Sequence, residues 1–267
     1  MHRFYVAPED WQPANLVLRE AEAHHARDVL RLKPNDRVVL FNGRGREITA
    51  EIADVKRDEV RLRKLHESET APLRCRITLA QAIPKGKNMD LIVQKAVEIG
   101  AAEIAPLISE RTIINLDRDA ARQKQAKWQQ VAIEAAKQCG QNWLPQVQLP
   151  RKLKDFFADL NSVAAVYDRR NSEAAGAHRT PLQDLRLIGS LQPDARHLKE
   201  ILAEFSAQHS GRPATALMLV GPEGDFTPAE LALAKSHGCL PLTLGPIILR
   251  VETAAIYCLS VLSYELF

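Results

Sequence analysis

The hydrophobic period of this chain changes once, near residue 72, and that change confines it to a two-part architecture. Before the change, apolar and polar residues alternate. Glu47-Ile-Thr-Ala-Glu-Ile52 and Val60-Arg-Leu-Arg-Lys-Leu65 place apolar side chains on one face, as half-buried strands do. Arg37-Val-Val-Leu-Phe41 is a short apolar strand, and Asn42-Gly43-Arg44-Gly45 is a glycine-rich turn joining it to 47–52. Residues 22–32 predict a helix carrying His24 and His25. Residues 66–72 are polar, end in proline and predict a linker. The segment before it is a small β-rich domain of a size that folds alone.

After residue 72 longer apolar runs alternate with helical stripes. Strands are predicted at 76–83, 103–108, 163–167, 216–220 and 240–244. Met89, Ile92, Val93, Ala96, Val97 and Ile99 form a helical stripe, with Asn88 as N-cap and Gly100 as terminator. Further helices are predicted from Asp117 to about Gln138, at 228–237 and at 253–267. Strands alternating with helices make an α/β domain on a mostly parallel sheet. Residues 169–213 interrupt the rhythm. A loop at 171–180, an extra strand at 185–188 and a surface helix at 194–209 read as an elaboration of the core.

Charge decides little by itself. Of 267 residues, 36 are basic and 33 acidic, a net +3. The surplus is local. Residues 71–150 hold 11 basic and 7 acidic side chains, and Arg74, Arg76, Lys85, Lys87 and Lys95 meet only Asp90 before Glu98. Such a cluster binds phosphate or is simply a solvated face. No apolar run nears the ~18 residues of a membrane helix, and the N-terminus lacks a signal-peptide layout. Four scattered cysteines form no C-x-x-C pair. These features predict a cytoplasmic chain without a membrane partner. His24 and His25 point apart on a helix and have no third ligand, so no metal is predicted.

Two loops concentrate the chemistry. In Leu219-Val-Gly-Pro-Glu-Gly-Asp-Phe-Thr-Pro-Ala-Glu230 an apolar strand enters Gly221-Pro222-Glu223-Gly224, and Thr227, Pro228 and Glu230 form a capping box. The layout brings backbone amides toward a ligand at a strand's carboxyl end, or makes an ordinary tight turn. In the second loop, after 240–244, Gly245-Pro246 turns the chain and Ile247, Ile248 and Leu249 form an apolar patch that needs a cover. Arg250 and Glu252 follow, as functional groups or as a local ion pair. No dinucleotide fingerprint, Walker loop, H-E-x-x-H or nucleophile elbow occurs in the sequence.

These motifs, in this order, resemble the RsmE family, the bacterial small-subunit rRNA uridine-N3 methyltransferases of the SPOUT superfamily. The resemblance runs from His2-Arg3-Phe4-Tyr5-Val6 through His24-His25, Val29-Leu30-Arg31, Phe41–Glu47 and Gln94-Lys95-Ala-Val-Glu98-Ile-Gly100. Ser109-Glu110-Arg111 and the run from Trp128 to Gln138 continue it. Val220-Gly-Pro-Glu-Gly224 and Leu249-Arg250-Val-Glu252-Thr253-Ala254 are its most specific pieces. It departs from the family pattern at Gln141, Ile247 and Asp225, where arginine, a basic residue and glycine are usual.

The resemblance implies a SPOUT-type, trefoil-knotted α/β C-terminal domain over 73–267, with the insertion near 169–213. A small N-terminal PUA-like β-barrel domain over 1–72 would bind RNA. It implies S-adenosylmethionine (SAM) as cofactor, 16S rRNA in the small ribosomal subunit as partner, and a homodimer. The cofactor would lie against Val220, Gly221, Pro222, Glu223, Gly224, Leu244, Gly245, Ile248, Leu249, Arg250, Thr253 and Ala254. RNA phosphates would meet Arg3, Arg27, Arg31, Lys85, Lys87, Lys95 and Arg111. Uridine N3 must lose a proton to become a nucleophile, so a cation and a base are needed. Arg250 suits the first role, and Glu252 or Glu223 the second. The competing readings are a non-catalytic RNA-binding or ribosome-assembly factor with the same fold, and a SPOUT methyltransferase acting on another RNA.

Overall fold

The computed structural model describes residues 1–112, 116–160, 184–209 and 211–267. The predicted strand at 163–167 and loop at 171–180 lie outside the described residues. The chain divides into two compact units. The first is Met1–Pro72 with Ala132–Pro145, and the second is Leu73–Val131 with Gln146–Phe267.

The first unit holds a mixed five-stranded sheet. Its strands are β1 (His2–Tyr5), β2 (Leu16–Arg19), β3 (Arg37–Phe41), β4 (Arg46–Val55) and β5 (Glu59–Glu69), in the order β1-β3-β4-β5-β2. The alternating residues Ile48, Ala50, Ile52, Val60 and Leu62 all turn inward, onto Phe4, Leu18, Val38 and Leu40. Two predictions are corrected here. The predicted linker is mostly strand: β5 continues through His66, Glu67 and Ser68, paired with Thr49, Ile48 and Glu47 of β4. Its polar side chains face outward, and Arg46 and Lys64 pair with Glu67. The helix predicted over 22–32 is a short α1 (Glu20–His24) that widens into a π-helical turn at His25–Val29. It stops where Arg31 takes a left-handed φ of 54°. The returning segment 132–145 docks at the hairpin turn. The Gly45 amide donates to the Asn142 carbonyl, and a side chain at Gly45 would strike Trp143.

The second unit is an α/β layer. Its strands are β6 (Arg76–Ala82), β7 (Glu103–Ile108), β8 (Gln146–Val147), β9 (Arg151–Lys152), β10 (Asp184–Gly189), β11 (Arg196–His197), β12 (Thr215–Val220) and β13 (Leu240–Thr243). Among the described residues they form one sheet in the order β11-β13-β10-β12-β6-β7-β8, with β9 also on β7. Every one of these pairings is parallel. The central strands read as apolar runs because both faces are covered. The helices are α2 (Asn88–Ile99), α3 (Arg118–Cys139), α4 (153–160), α5 (Leu198–Gln208), α6 (Pro228–Ser236) and α7 (Val251–Leu266).

Local chemistry explains their limits. The Asp117 carboxylate accepts the Ala120 amide and opens α3. Gly100, at φ 93°, closes α2. Asn88 is not the N-cap of α2. Lys87 occupies that position without a side-chain cap, and the Asn88 amide is used elsewhere. The strand predicted as an extra at 185–188 is not peripheral. β10 lies inside the sheet, between β12 and β13, with Leu185, Leu187 and Ile188 buried. Among the described residues no helix is long and apolar enough to cross a membrane.

Candidate active site at the carboxyl ends of the parallel strands

A parallel sheet sends all its strand-to-helix loops to one edge, where the strands' carboxyl ends point. The loops after β10, β12 and β13 meet there and, with the first turns of α7, enclose a cavity of about 280 Å³. Most of its wall is apolar: Leu191, Val220, Pro222, Leu244, Ile247, Ile248, Leu249, Val251 and Ala254. Polar character comes from loop backbone, Ser190, Glu223, Asp225 and Arg250. A half-open, mostly apolar slot with a few converging polar groups is a usual form of a small-molecule site.

The glycine loop is tied to its neighbours on three sides. Gly224 and Asp225 take consecutive left-handed conformations, at φ 89° and 68°. Glycine adopts that region freely, and aspartate is among the few other residues that tolerate it. Asp225 thus keeps the backbone shape at the position where glycine is usual. Its carboxylate accepts the Phe226 amide at 2.8 Å and the Leu191 amide at 3.2 Å, linking the loops after β12 and β10. From the loop after β7, the Arg111 guanidinium donates to the carbonyls of Gly224 and Asp225. From the loop after β6, the Lys85 amide donates to both carboxylate oxygens of Glu223, at 3.1 and 3.3 Å. A Cβ at Gly221 would sit 3.2 Å from the Phe226 nitrogen, so a side chain there would crowd this turn.

The capping box forms as predicted and does more than cap. Glu230 accepts the Thr227 amide at 2.9 Å, and its other oxygen accepts the Glu110 amide at 2.9 Å. It is only 6% exposed, so the box also fastens the β7 loop to α6. Arg250 is the N-cap residue of α7 and is solvent-exposed. Among the described residues it has no ion-pair partner, so the predicted alternative of an Arg250–Glu252 pair does not form. Glu252 instead accepts the Asn88 side-chain amide at 3.0 Å, joining the first turns of α7 and α2.

Of the twelve residues expected at the cofactor, all but Thr253 line this cavity. Thr253 faces outward on α7 with Tyr257, Ser260 and Tyr264. Glu252 is also outside the lining. The sequence reading missed Gly189, Ser190 and Leu191, because β10 was assigned to an elaboration. The available signal was its apolar run into glycine, the same pattern as β12. It also missed Asp225, Ile247, Val251 and Cys258.

The residues expected to meet RNA fall in both units. Arg3 is inward: its guanidinium pairs with Glu47 at 2.8 Å, bonds Asn142 and stacks on Phe41, and its side chain is 13% exposed. It is spent on the first unit's own structure. Arg27 pairs with Asp28 at 2.8 Å and also donates to the Arg57 carbonyl. Arg31 is exposed. In the second unit Lys85 and Lys87 are exposed, Lys95 pairs with Glu98 at 2.7 Å, and Arg111 braces the glycine loop.

Fold and site together define a class: a parallel α/β domain whose strand-end loops build a small-molecule slot, accompanied by a small β domain. The family model described as an RNA methyltransferase domain matches residues 71–263, and that described as an RNA methyltransferase PUA domain matches 18–65. The chain belongs to the family of ribosomal RNA small subunit methyltransferase E. The Bacillus subtilis protein of that name is 30% identical over 247 residues, 91% of this chain and 88% of the relative. A Legionella pneumophila methyltransferase solved with the cofactor SAM is 34% identical, with a TM-score of 0.79 over 98% of this chain and 97% of that one. A ribosomal RNA small subunit methyltransferase E from Neisseria gonorrhoeae, bound to S-adenosyl methionine, is 30% identical, with a TM-score of 0.79 over 99% and 98% of the two chains.

Proposed function

We propose that this chain transfers a methyl group from SAM to N3 of a uridine in the 16S rRNA of the small ribosomal subunit, acting in the cytoplasm as a homodimer with a trefoil-knotted catalytic domain. The observation that carries the reading is the cavity walled by the loops after β10, β12 and β13. Its chemistry suits SAM. Apolar side chains at Ile247, Ile248 and Leu249 offer a face for an adenine ring, and loop amides and carbonyls offer polar partners. When bound, SAM supplies a methyl group on a positively charged sulfur. The relatives solved with this cofactor support the assignment.

The chain's own groups supply the rest. Among the described residues Arg250 has no ion-pair partner, and it lines the cavity, so its guanidinium is free to stabilise charge developing on the uracil oxygens. Glu223 also lines the cavity and takes the N3 proton. Glu252, held by Asn88 and outside the lining, serves to seat α7. Arg27, Arg31 and Lys87 are the remaining candidates to meet RNA phosphate, with Lys85 beside the cavity, giving binding that weakens steeply with salt.

Ile247 and Ile248 are 74% and 76% exposed, and Tyr257 and Tyr264 stand exposed on α7. Apolar residues this open favour a covering second subunit. The deciding experiment incubates the protein and SAM with small-subunit particles and maps the methyl group by mass spectrometry. A methyl at uridine N3 is expected. SAM binding without methylation would favour the non-catalytic RNA-binding factor, and a methyl on another RNA or atom would revise the substrate.

A further inference from the structure

A second, smaller cavity of about 200 Å³ lies beside the first, lined by Ile83, Pro84, Lys85, Gly86, Arg111, Thr112 and Glu223. It is built by the loops after β6 and β7, whose strands lie next to β12 in the sheet. Glu223 is common to both cavities. A transfer reaction needs its acceptor within reach of the donor, and a cavity sharing a wall with the cofactor slot meets that need.

The lining is specific in its chemistry. Ile83 and Pro84 are buried and give an apolar wall suited to the flat face of a ring. Glu223 is an acceptor only, and the Lys85 amide on both its oxygens restrains it. Lys85 and Arg111 are donors only. A lining that holds one carboxylate and two cationic side chains matches a ligand edge that presents a donor between acceptors. An imide has that edge: N–H between two carbonyls. A cytosine edge has an acceptor in the middle and would set a lone pair against the carboxylate.

We infer that this second cavity is the acceptor-base site, that it reads the imide edge of uracil, and that Glu223 accepts the N3–H while Lys85 and Arg111 hold the carbonyl oxygens of the bound base and Arg250, in the first cavity that Glu223 also lines, meets the charge that develops during transfer. The inference rests on the methyl-transfer reading above and assigns its acceptor a place. It gives Arg111 two tasks, since one of its nitrogens already braces the Gly224 and Asp225 carbonyls. Thr112 adds no charge and closes the rim, its hydroxyl oxygen already accepting the Ser109 amide at 3.1 Å.

The test titrates the full chain with uridine 5′-monophosphate and, separately, cytidine 5′-monophosphate, following backbone amides by NMR. Uridine monophosphate is expected to move the Gly86 and Thr112 amides, with cytidine monophosphate roughly threefold or more weaker, the discrimination a mismatch at exposed hydrogen-bonding groups provides. Glu223→Gln, whose amide donates as well as accepts, is expected to erase that preference while the amide spectrum stays folded. Equal binding of the two nucleotides, or shifts that leave Gly86 and Thr112 unmoved, would overturn the inference. Methylation of rRNA alongside unmoved Gly86 and Thr112 amides would sink this site and leave the proposed activity standing. Uridine-selective shifts without methylation would keep the site and sink the activity.

Discussion

Asp225 shows how one residue carries two jobs. A left-handed backbone at this position favours glycine, and aspartate accepts the modest strain in return for a carboxylate that joins two cavity loops. Asp225→Gly keeps the turn and removes the tie. SAM affinity measured by calorimetry should fall roughly tenfold, the worth of a charged hydrogen bond. Amide exchange at 189–191 should quicken. Unchanged affinity would mean that the loops hold without it. The thiols make a second residue-scale case. Burial pushes Cys75 to about 11, and Cys239 and Cys258 to about 12. Cys139 is exposed. Native protein at neutral pH should therefore take one equivalent of iodoacetamide, at Cys139, by peptide mass mapping. Labelling of Cys258 would show that the cavity it lines opens to reagent.

At the scale of elements, the capping box at α6 links strand order to site geometry. Thr227→Ala removes the acceptor for the Glu230 amide and should cost about 1 kcal/mol in denaturant unfolding. Its neighbour Glu230 has a longer reach, because it also holds the Glu110 amide. Glu230→Ala should destabilise more than Thr227→Ala and also weaken SAM binding. Much of this element was legible in advance: Thr-Pro-x-Glu after a glycine loop specifies its own start through backbone donors a few residues away. The π-helical turn at His25–Val29 was not legible. Nothing in its spacing distinguishes it from an α-helix, and it lies where Ala23 and Ala26 pack into the core of the sheet. The same holds for β5 beyond Leu65. Its polar residues read as linker, and the length of β4 opposite them makes them strand.

For the whole molecule, pH and association are the informative variables. Burial raises the carboxyl of Glu22 despite Lys137, and burial raises that of Glu103 despite Arg76 and Arg151. The folded state then binds more protons than the unfolded state between the ordinary and the raised values. Stability is present in full below the ordinary carboxylate range and declines as pH rises through the raised one. Glu103→Gln should flatten that decline and raise Tm at neutral pH, checked by thermal melts across pH. A variant that melts lower at every pH would refute the assignment. Association is tested by Ile248→Asp and Tyr264→Asp, which should convert a dimer to monomer in light scattering if the exposed face of α7 and the apolar loop form the subunit contact.

The division of information follows the range of the interactions. Period changes, caps, glycine turns and the two motif loops depend on residues a few places apart, so the sequence carried the α/β class, most strand and helix positions, and most of the lining of the cavity proposed to take the cofactor. Three things depended on long-range contacts. The place of β10 inside the sheet brought Gly189, Ser190 and Leu191 to the cavity, and no local pattern encodes which strand lies next to which. The partners of Arg3, Arg111 and Glu252 lie 44, 113 and 164 residues away in sequence, so only folding could turn expected ligands of RNA or substrate into braces. The second cavity exists because parallel strands deliver Lys85, Arg111 and Glu223 to one edge, and its charge pattern becomes readable only when those loops meet.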